Sequence, residues 1–169
     1  MENNITDKLK TELNYFNTDL KNLIDYSNTE GYINIGKARI RGIESIISYA
    51  LNEYLTLSLS YTHLDTENKD NHEELARRPS DKAVLKLKGT FDRLTGYFDL
   101  SYVGGRTSDT AGTELLKPYV LANIALNYKL KENLNLFGRI ENLLNYDYEL
   151  ITGYQTPKLS AYAGMKLEF

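Results

Sequence analysis

From Leu55 to Tyr61 every second residue is apolar: Leu55, Leu57, Leu59 and Tyr61 alternate with Thr56, Ser58 and Ser60. Successive side chains of a strand leave opposite faces, whereas a helix mixes the two sets, so this period of two demands an extended segment with two unlike sides. The pattern recurs at Ala83, Leu85, Leu87 and Phe91 against Lys86, Lys88 and Thr90, and at Phe98, Leu100 and Tyr102 against Asp99 and Ser101. It returns at Ala122, Ile124, Leu126, Tyr128 and Leu130 against Asn123, Asn127 and Lys129, and at Leu134, Leu136 and Ile140 against Asn135, Arg139 and Glu141. Leu159, Ala161, Ala163, Met165, Leu167 and Phe169 end the chain in the same way, against Ser160, Tyr162, Lys166 and Glu168. Two longer segments precede these, 9–26 with Leu13 and Tyr15 on one face, and 32–51. In the second, Ile40 and then Ile43, Ile47 and Tyr49 change parity, which predicts a bulge near Gly42. The pattern predicts about eight strands in an all-β chain.

The connections alternate in length. Short turns fall at Asn52 and Glu53, at 92–95 and at 131–133, while long polar or glycine-containing segments fall at 66–79, 105–117 and 143–158. In an antiparallel up-and-down meander alternate connections share one end, so all short turns lie on one side and all long loops on the other. Transmembrane barrels of the outer membrane have this asymmetry. Tyr26, Tyr32, Tyr49, Tyr54, Tyr61, Tyr97, Tyr119 and Tyr128 at strand ends are expected in aromatic girdles at the two lipid interfaces.

Mean hydropathy is −0.46 over 169 residues, and no run approaches the ~20 apolar residues of a spanning helix. That test says nothing of a barrel, whose strands face lipid on one side only. A net charge of −3 from 20 basic and 23 acidic residues gives no footprint for nucleic acid or an anionic surface. The absence of cysteine removes disulfides, thiolate metal sites and cysteine nucleophiles. Met1 is followed by Glu2, Asn3 and Asn4, so no signal peptide is read here.

The last strand carries a further pattern. Tyr162, Gly164, Leu167 and Phe169 fit the terminal insertion signal of bacterial outer-membrane proteins, in which the glycine gives a flat strand and the final aromatic sits at the periplasmic interface. With YINIGKARIRGIE (32–44), SYTHLDTEN (60–68), LARRP (75–79) and above all RIENLLNYDYELITGYQTP (139–157), the chain resembles the C-terminal part of the TonB-dependent outer-membrane receptors, most nearly the vitamin B12 transporters. The resemblance implies about eight transmembrane strands of a barrel of about 22. It also implies a receptor for cobalamin or a siderophore-like chelate, energised by the TonB system and inserted into lipid by the barrel assembly machinery. On this reading residues 1–169 are the C-terminal barrel portion, and the plug domain, TonB box and signal peptide are absent. The alternatives are a small self-contained outer-membrane barrel with a structural or adhesive role, and a soluble β-barrel binding protein.

Chemistry beyond this is sparse. His63 and His72 lack a second histidine at metal-binding spacing, and Asp65, Glu67, Asp70, Glu73 and Glu74 lack the glycine of a calcium loop, so no metal, cofactor or catalytic centre is expected. Arg77 and Arg78 match the family's arginine pair, pointing into the lumen or toward a ligand, or capping a strand against lipopolysaccharide. Gly153, Tyr154 and Gln155 match a loop near the extracellular mouth, where rings cover a ligand's apolar face and an amide meets its polar rim; a packed loop tip is the alternative. Arg139 and Glu141 are expected to form an ion pair on the lumen wall. The leucine face should point outward and Ser58, Lys86, Lys88, Asn127, Arg139, Glu141 and Lys166 inward. Charged residues on that inner face suit a wide lumen, so an open sheet with free edges at the Leu13 and Ala163 strands is expected.

Overall fold

The computed structural model describes residues 2–27, 30–109 and 112–169, and the side chains of all of these but 2–4 and 27. The elements in chain order are β1 (Glu2–Asn4), β2 (Leu9–Ser27), β3 (Gly31–Ala50), β4 (Leu55–Asn68), β5 (Asp81–Phe91), β6 (Leu94–Val103), β7 (Arg106–Thr107), β8 (Leu115–Leu116), β9 (Tyr119–Lys131), β10 (Leu134–Glu141) and β11 (Ser160–Leu167). One antiparallel sheet runs β1-β2-β3-β4-β5-β6-β9-β10-β11, and β7 pairs with β8 inside the connection between β6 and β9. The eight long strands are those the alternation marks. The short β1 is an addition: its register against Lys10–Glu12 covers part of the edge expected to be free at Leu13. Strand β11 pairs with β10 alone, so among the described residues the sheet stays open.

Register sorts the side chains. Leu57, Leu87, Phe98, Ile124 and Ile140 stand abreast on one face, and Ser58, Lys86, Asp99 and Asn123 on the other. The leucine face does not line a dry core, since Leu59, Leu126, Leu136 and Leu167 are exposed. In water such a surface is costly at about 25 cal/mol per Å² of apolar area; in lipid it is the solvent-exposed side of the sheet. Arg139 and Glu141 pair at 3.2 Å on the polar face, as expected.

Two sequence expectations change. The β2–β3 and β3–β4 ladders run past Gly42 without a register shift, so there is no bulge there. The parity of the apolar residues changes because β3 leaves the apolar zone. Its outer face passes to Arg41 and Arg39, while Ile40 and Ala38 on the other face join a small core with Ile35 and Leu75. The true exchange of faces lies higher, where Ile35 and Ala38 reach one cluster across Gly36, opposite Asn22 with φ 56°. The irregular step that does occur is between Leu134 and Asn135. Finally, Tyr97 and Tyr119 are not girdle residues, because their partners Lys88 and Val103 place them on the polar face.

Candidate functional site

Buried polar side chains are rare in a one-layer sheet, and here they gather in the long loops: Arg106, Ser108, Asp109 and Asn142 are all buried. Arg106 and Ser108 anchor one connection to another, while Asp109 and Asn142 close their own loops. Arg77, at φ 62°, donates from its backbone N–H to the Thr107 carbonyl (2.8 Å) and from Nε to the Ser108 carbonyl (2.9 Å). The Ser108 hydroxyl accepts from the Thr152 N–H at 3.0 Å. Arg106 Nη2 reaches the carbonyls of Glu149 (3.1 Å) and Leu150 (3.4 Å), and its guanidinium lies over the Tyr119 ring. The connections 69–80, 104–118 and 142–159 therefore form one interlocked cluster at the end of the sheet opposite the short turns.

The third connection is fastened to the polar face by Asn142. Its backbone N–H donates to Asn123 Oδ1 (2.9 Å), and Asn123 Nδ2 donates to Asp99 (2.8 Å). Its amide closes the loop: Nδ2 donates to the carbonyls of Tyr146 (2.8 Å) and Pro157 (3.3 Å), and Oδ1 accepts from the Tyr146 N–H (2.9 Å). Asparagine suits φ 51° there because it visits the left-handed region at low cost. The most specific stretch of the sequence is thus a loop anchor.

Against this cluster lies a cavity of about 370 Å³, lined by residues 115–119, 146–149 and Gln155. Its aromatic wall is Tyr119 and Tyr148, with ring centroids 4.6 Å apart. A second hollow of about 330 Å³ on the polar face shares Tyr148 and adds Asn123, Arg139, Glu141 and Lys158. Aromatic walls with an amide at the rim bind the flat apolar side of a ligand and orient its polar edge. No group of three or more histidine or acidic side chains is gathered as for a metal among the described residues.

The family profile described as TonB dependent receptor-like, beta-barrel matches residues 3–143. The chain belongs to that family. The vitamin B12 transporter BtuB of Photobacterium profundum is 32% identical over 148 residues, 86% of this chain and 24% of that protein. The chain thus spans about a quarter of the length of this curated relative. Among solved structures, the copper transporter OprC superposes with a TM-score of 0.81 at 18% identity, over 99% of this chain and 30% of that one. The ferric enterobactin receptor PfeA of Pseudomonas aeruginosa gives 0.80 at 22% identity, over the same shares. At such identities these two establish the barrel fold alone.

In a barrel of this family the leucine face is the lipid side and the polar face the lumen side. The residues expected to meet a ligand part company. Gln155 lines the cavity, bridged to Glu149 across the hairpin, while Tyr154 stands 70% exposed at its tip beside Gly153 at φ 80°. Arg77 and Arg78 are occupied in the loop cluster, Arg78 Nη1 donating to the Ala76 carbonyl at 3.1 Å and lying 3.9 Å from Asp25. Of the terminal motif, Tyr162 and Gly164 face the lumen side with Arg139 and Phe137, and Leu167 faces lipid beside Leu134. Phe169 lies beyond β11, fully exposed.

Reading the sequence missed Arg106, Tyr119, Tyr148 and Asn142 as site residues. The asparagines of RIENLLN were the available signal, being residues that tolerate positive φ.

Asp109 holds the middle loop. Burial raises the pKa of its carboxyl, but hydrogen bonds from the Thr113 hydroxyl (2.7 Å) and the N–H groups of Glu114 and Thr113 lower it further, leaving it below the ordinary value. A carboxylate depressed in the folded state contributes stability above its unfolded pKa, and that contribution is lost as pH falls through the folded value. Protection of the 105–117 backbone against hydrogen exchange, taken relative to the intrinsic rate at each pH, should therefore fall below about pH 4, and Asp109→Asn should remove that pH dependence. An unchanged acid profile in the variant would show that another group holds the loop.

Proposed function

We propose that this chain is the C-terminal barrel portion of an outer-membrane receptor for cobalamin or a related metal chelate, driven by the TonB system in the complete protein. The observation that carries the ligand reading is the 32% identity to a vitamin B12 transporter over 86% of the chain. The tyrosine-walled cavity beside Gln155 supports it, since a large chelate with a flat apolar body and an amide rim suits rings and a side-chain amide. In this reading the outer cavity receives one edge of the ligand at the mouth, with Tyr154 as an exposed outer contact and Arg77 and Arg78 shaping the loops. The wall below Tyr148 faces the plug of the complete receptor. Leu167 and Phe169 are the lipid-side part of the insertion signal met by the barrel assembly machinery, with Tyr162 and Gly164 fixing the strand from the lumen side.

Equilibrium binding of cyanocobalamin to the complete receptor in outer-membrane vesicles tests the reading. Binding should weaken at least about tenfold in Tyr148→Ala, a loss of ~1.4 kcal/mol, and less in Gln155→Ala. A receptor that binds a ferric catecholate and ignores cyanocobalamin would replace cobalamin with a siderophore. Wild-type affinity in Tyr148→Ala would move the ligand away from this cavity.

A further inference from the structure

On the lipid side, each cation is set against a carboxylate within its own row until the last row. Tyr15, Ile43 and His63 stand abreast on β2, β3 and β4, and the next row sets Arg41 against Asp65, Nε to Oδ2 at 2.8 Å. The row after pairs Arg39 with Glu67 at 2.6 Å. Then Lys21 and Lys37 are register partners, and the Lys69 N–H donates to the Lys37 carbonyl at 2.9 Å. Three lysines therefore occupy one row, Lys21 on β2, Lys37 on β3 and Lys69 in the turn directly after β4. Strands in a sheet lie about 4.8 Å apart, and like charges directly opposite one another are destabilising. Among the described residues the carboxylate within ion-pair distance of them is Asp19 of the Arg39 row, whose Oδ1 lies 3.4 Å from Lys69 Nζ, while Asp70 Oδ2 accepts from the Gly36 N–H at 2.9 Å. Lys21 and Lys37 are exposed and have no acidic partner within 4.0 Å among the described residues. Ala38 and Leu20, their chain neighbours, turn the other way into the small core, which fixes the lysines on the lipid side.

We propose that the Lys21, Lys37 and Lys69 row is a binding site for the phosphorylated sugar headgroup of an outer-leaflet glycolipid. With Lys69 alone in an ion pair, the Lys21 and Lys37 ammonium groups leave a local excess of positive charge, the complement of a phosphate. Lys21 lies six residues beyond Tyr15 on the same face, about 20 Å along the strand at ~3.3 Å per residue. With a strand tilt of about 40° that is roughly 15 Å above the tyrosine level. This height belongs to the sugar and phosphate layer, above the acyl chains. A row that breaks the pairing rule kept by the rows beneath it gains a favourable partner there. The site rests on the outer-membrane placement and is independent of which ligand the receptor carries.

The test uses receptor purified from outer membranes in detergent, its melting temperature read with lipopolysaccharide, with the same glycolipid after phosphatase treatment, and with inorganic phosphate. Lipopolysaccharide should raise the melting temperature and co-purify with the receptor, and neither of the other probes should reproduce the shift. The double variant Lys21→Gln, Lys37→Gln should lose the shift and most of the co-purified glycolipid, yet melt no lower than the parent without lipid, because a repulsion has been removed. The charge-keeping pair Lys21→Arg, Lys37→Arg should keep the response. An undiminished shift in the glutamine variant, or a full response to inorganic phosphate or to dephosphorylated glycolipid, would overturn the proposal. Ligand binding by the complete receptor should be unchanged throughout, so a failure of the cobalamin reading leaves this result standing.

Discussion

Adding one methyl group at Gly42 or at Gly164 should lower the folded, membrane-assembled fraction sharply in both cases, but only the second loss should be recoverable. Each glycine is the cross-strand partner of a phenylalanine on the lumen side, Phe16 with Gly42 and Phe137 with Gly164. A Cβ at Gly164 would stand 2.5, 2.8 and 3.2 Å from three atoms of the Phe137 ring and from nothing else that close. At Gly42 it would meet the His63 carbonyl oxygen at 2.5 Å as well as Phe16 Cζ at 2.8 Å. A ring can be shortened by mutation, whereas a carbonyl locked in the sheet cannot. Overpacking of this kind costs about 1–3 kcal/mol. Assembly of Gly164→Ala, read as the heat-modifiable folded band in outer membranes, should therefore recover with Phe137→Leu, while Gly42→Ala should not recover with Phe16→Leu. The result also separates two accounts of the terminal motif. If Gly164 serves only as a flexible element for the assembly machinery, Phe137→Leu has no effect on the defect.

What could be read ahead of the structure follows from the range of the interactions concerned. The eight long strands and their faces were legible because lipid and lumen demand opposite side chains at neighbouring positions, so the information lies within two residues. The loop cluster was not, because its bonds join Arg106 to Glu149 and Ser108 to Thr152, positions 43 and 44 residues apart. Nothing local to Gly105 or Thr107 marks Arg106 as buried. The parity change in 32–51 was legible but misassigned: a bulge and a change of environment produce the same string of letters. The constant register past Gly42 distinguishes them. Tyr97 and Tyr119 failed for a related reason, since position near a strand end does not say which face a tyrosine takes.

Asn142 should prove the most sensitive single residue for the third loop. Its amide satisfies the carbonyls of Tyr146 and Pro157 and the N–H of Tyr146, and its backbone adopts φ 51°. Alanine loses three bonds worth about 1 kcal/mol each and adds the strain of a left-handed non-glycine residue, ~1 kcal/mol. Glycine loses the bonds without the strain, and aspartate keeps only the acceptor. Resistance of the 143–158 segment to protease on intact cells should fall in the order parent, Asp, Gly, Ala, with the barrel band itself unchanged, because Asn142 follows β10 and no strand pairing depends on its side chain. Cyanocobalamin affinity should fall in the same order, since Tyr148 and Gln155 are carried by the loop that Asn142 closes. If the glycine variant holds the loop as firmly as the parent, the backbone conformation is what matters and the amide network is incidental. If the loop loosens and affinity stays, the ligand is held elsewhere in the receptor.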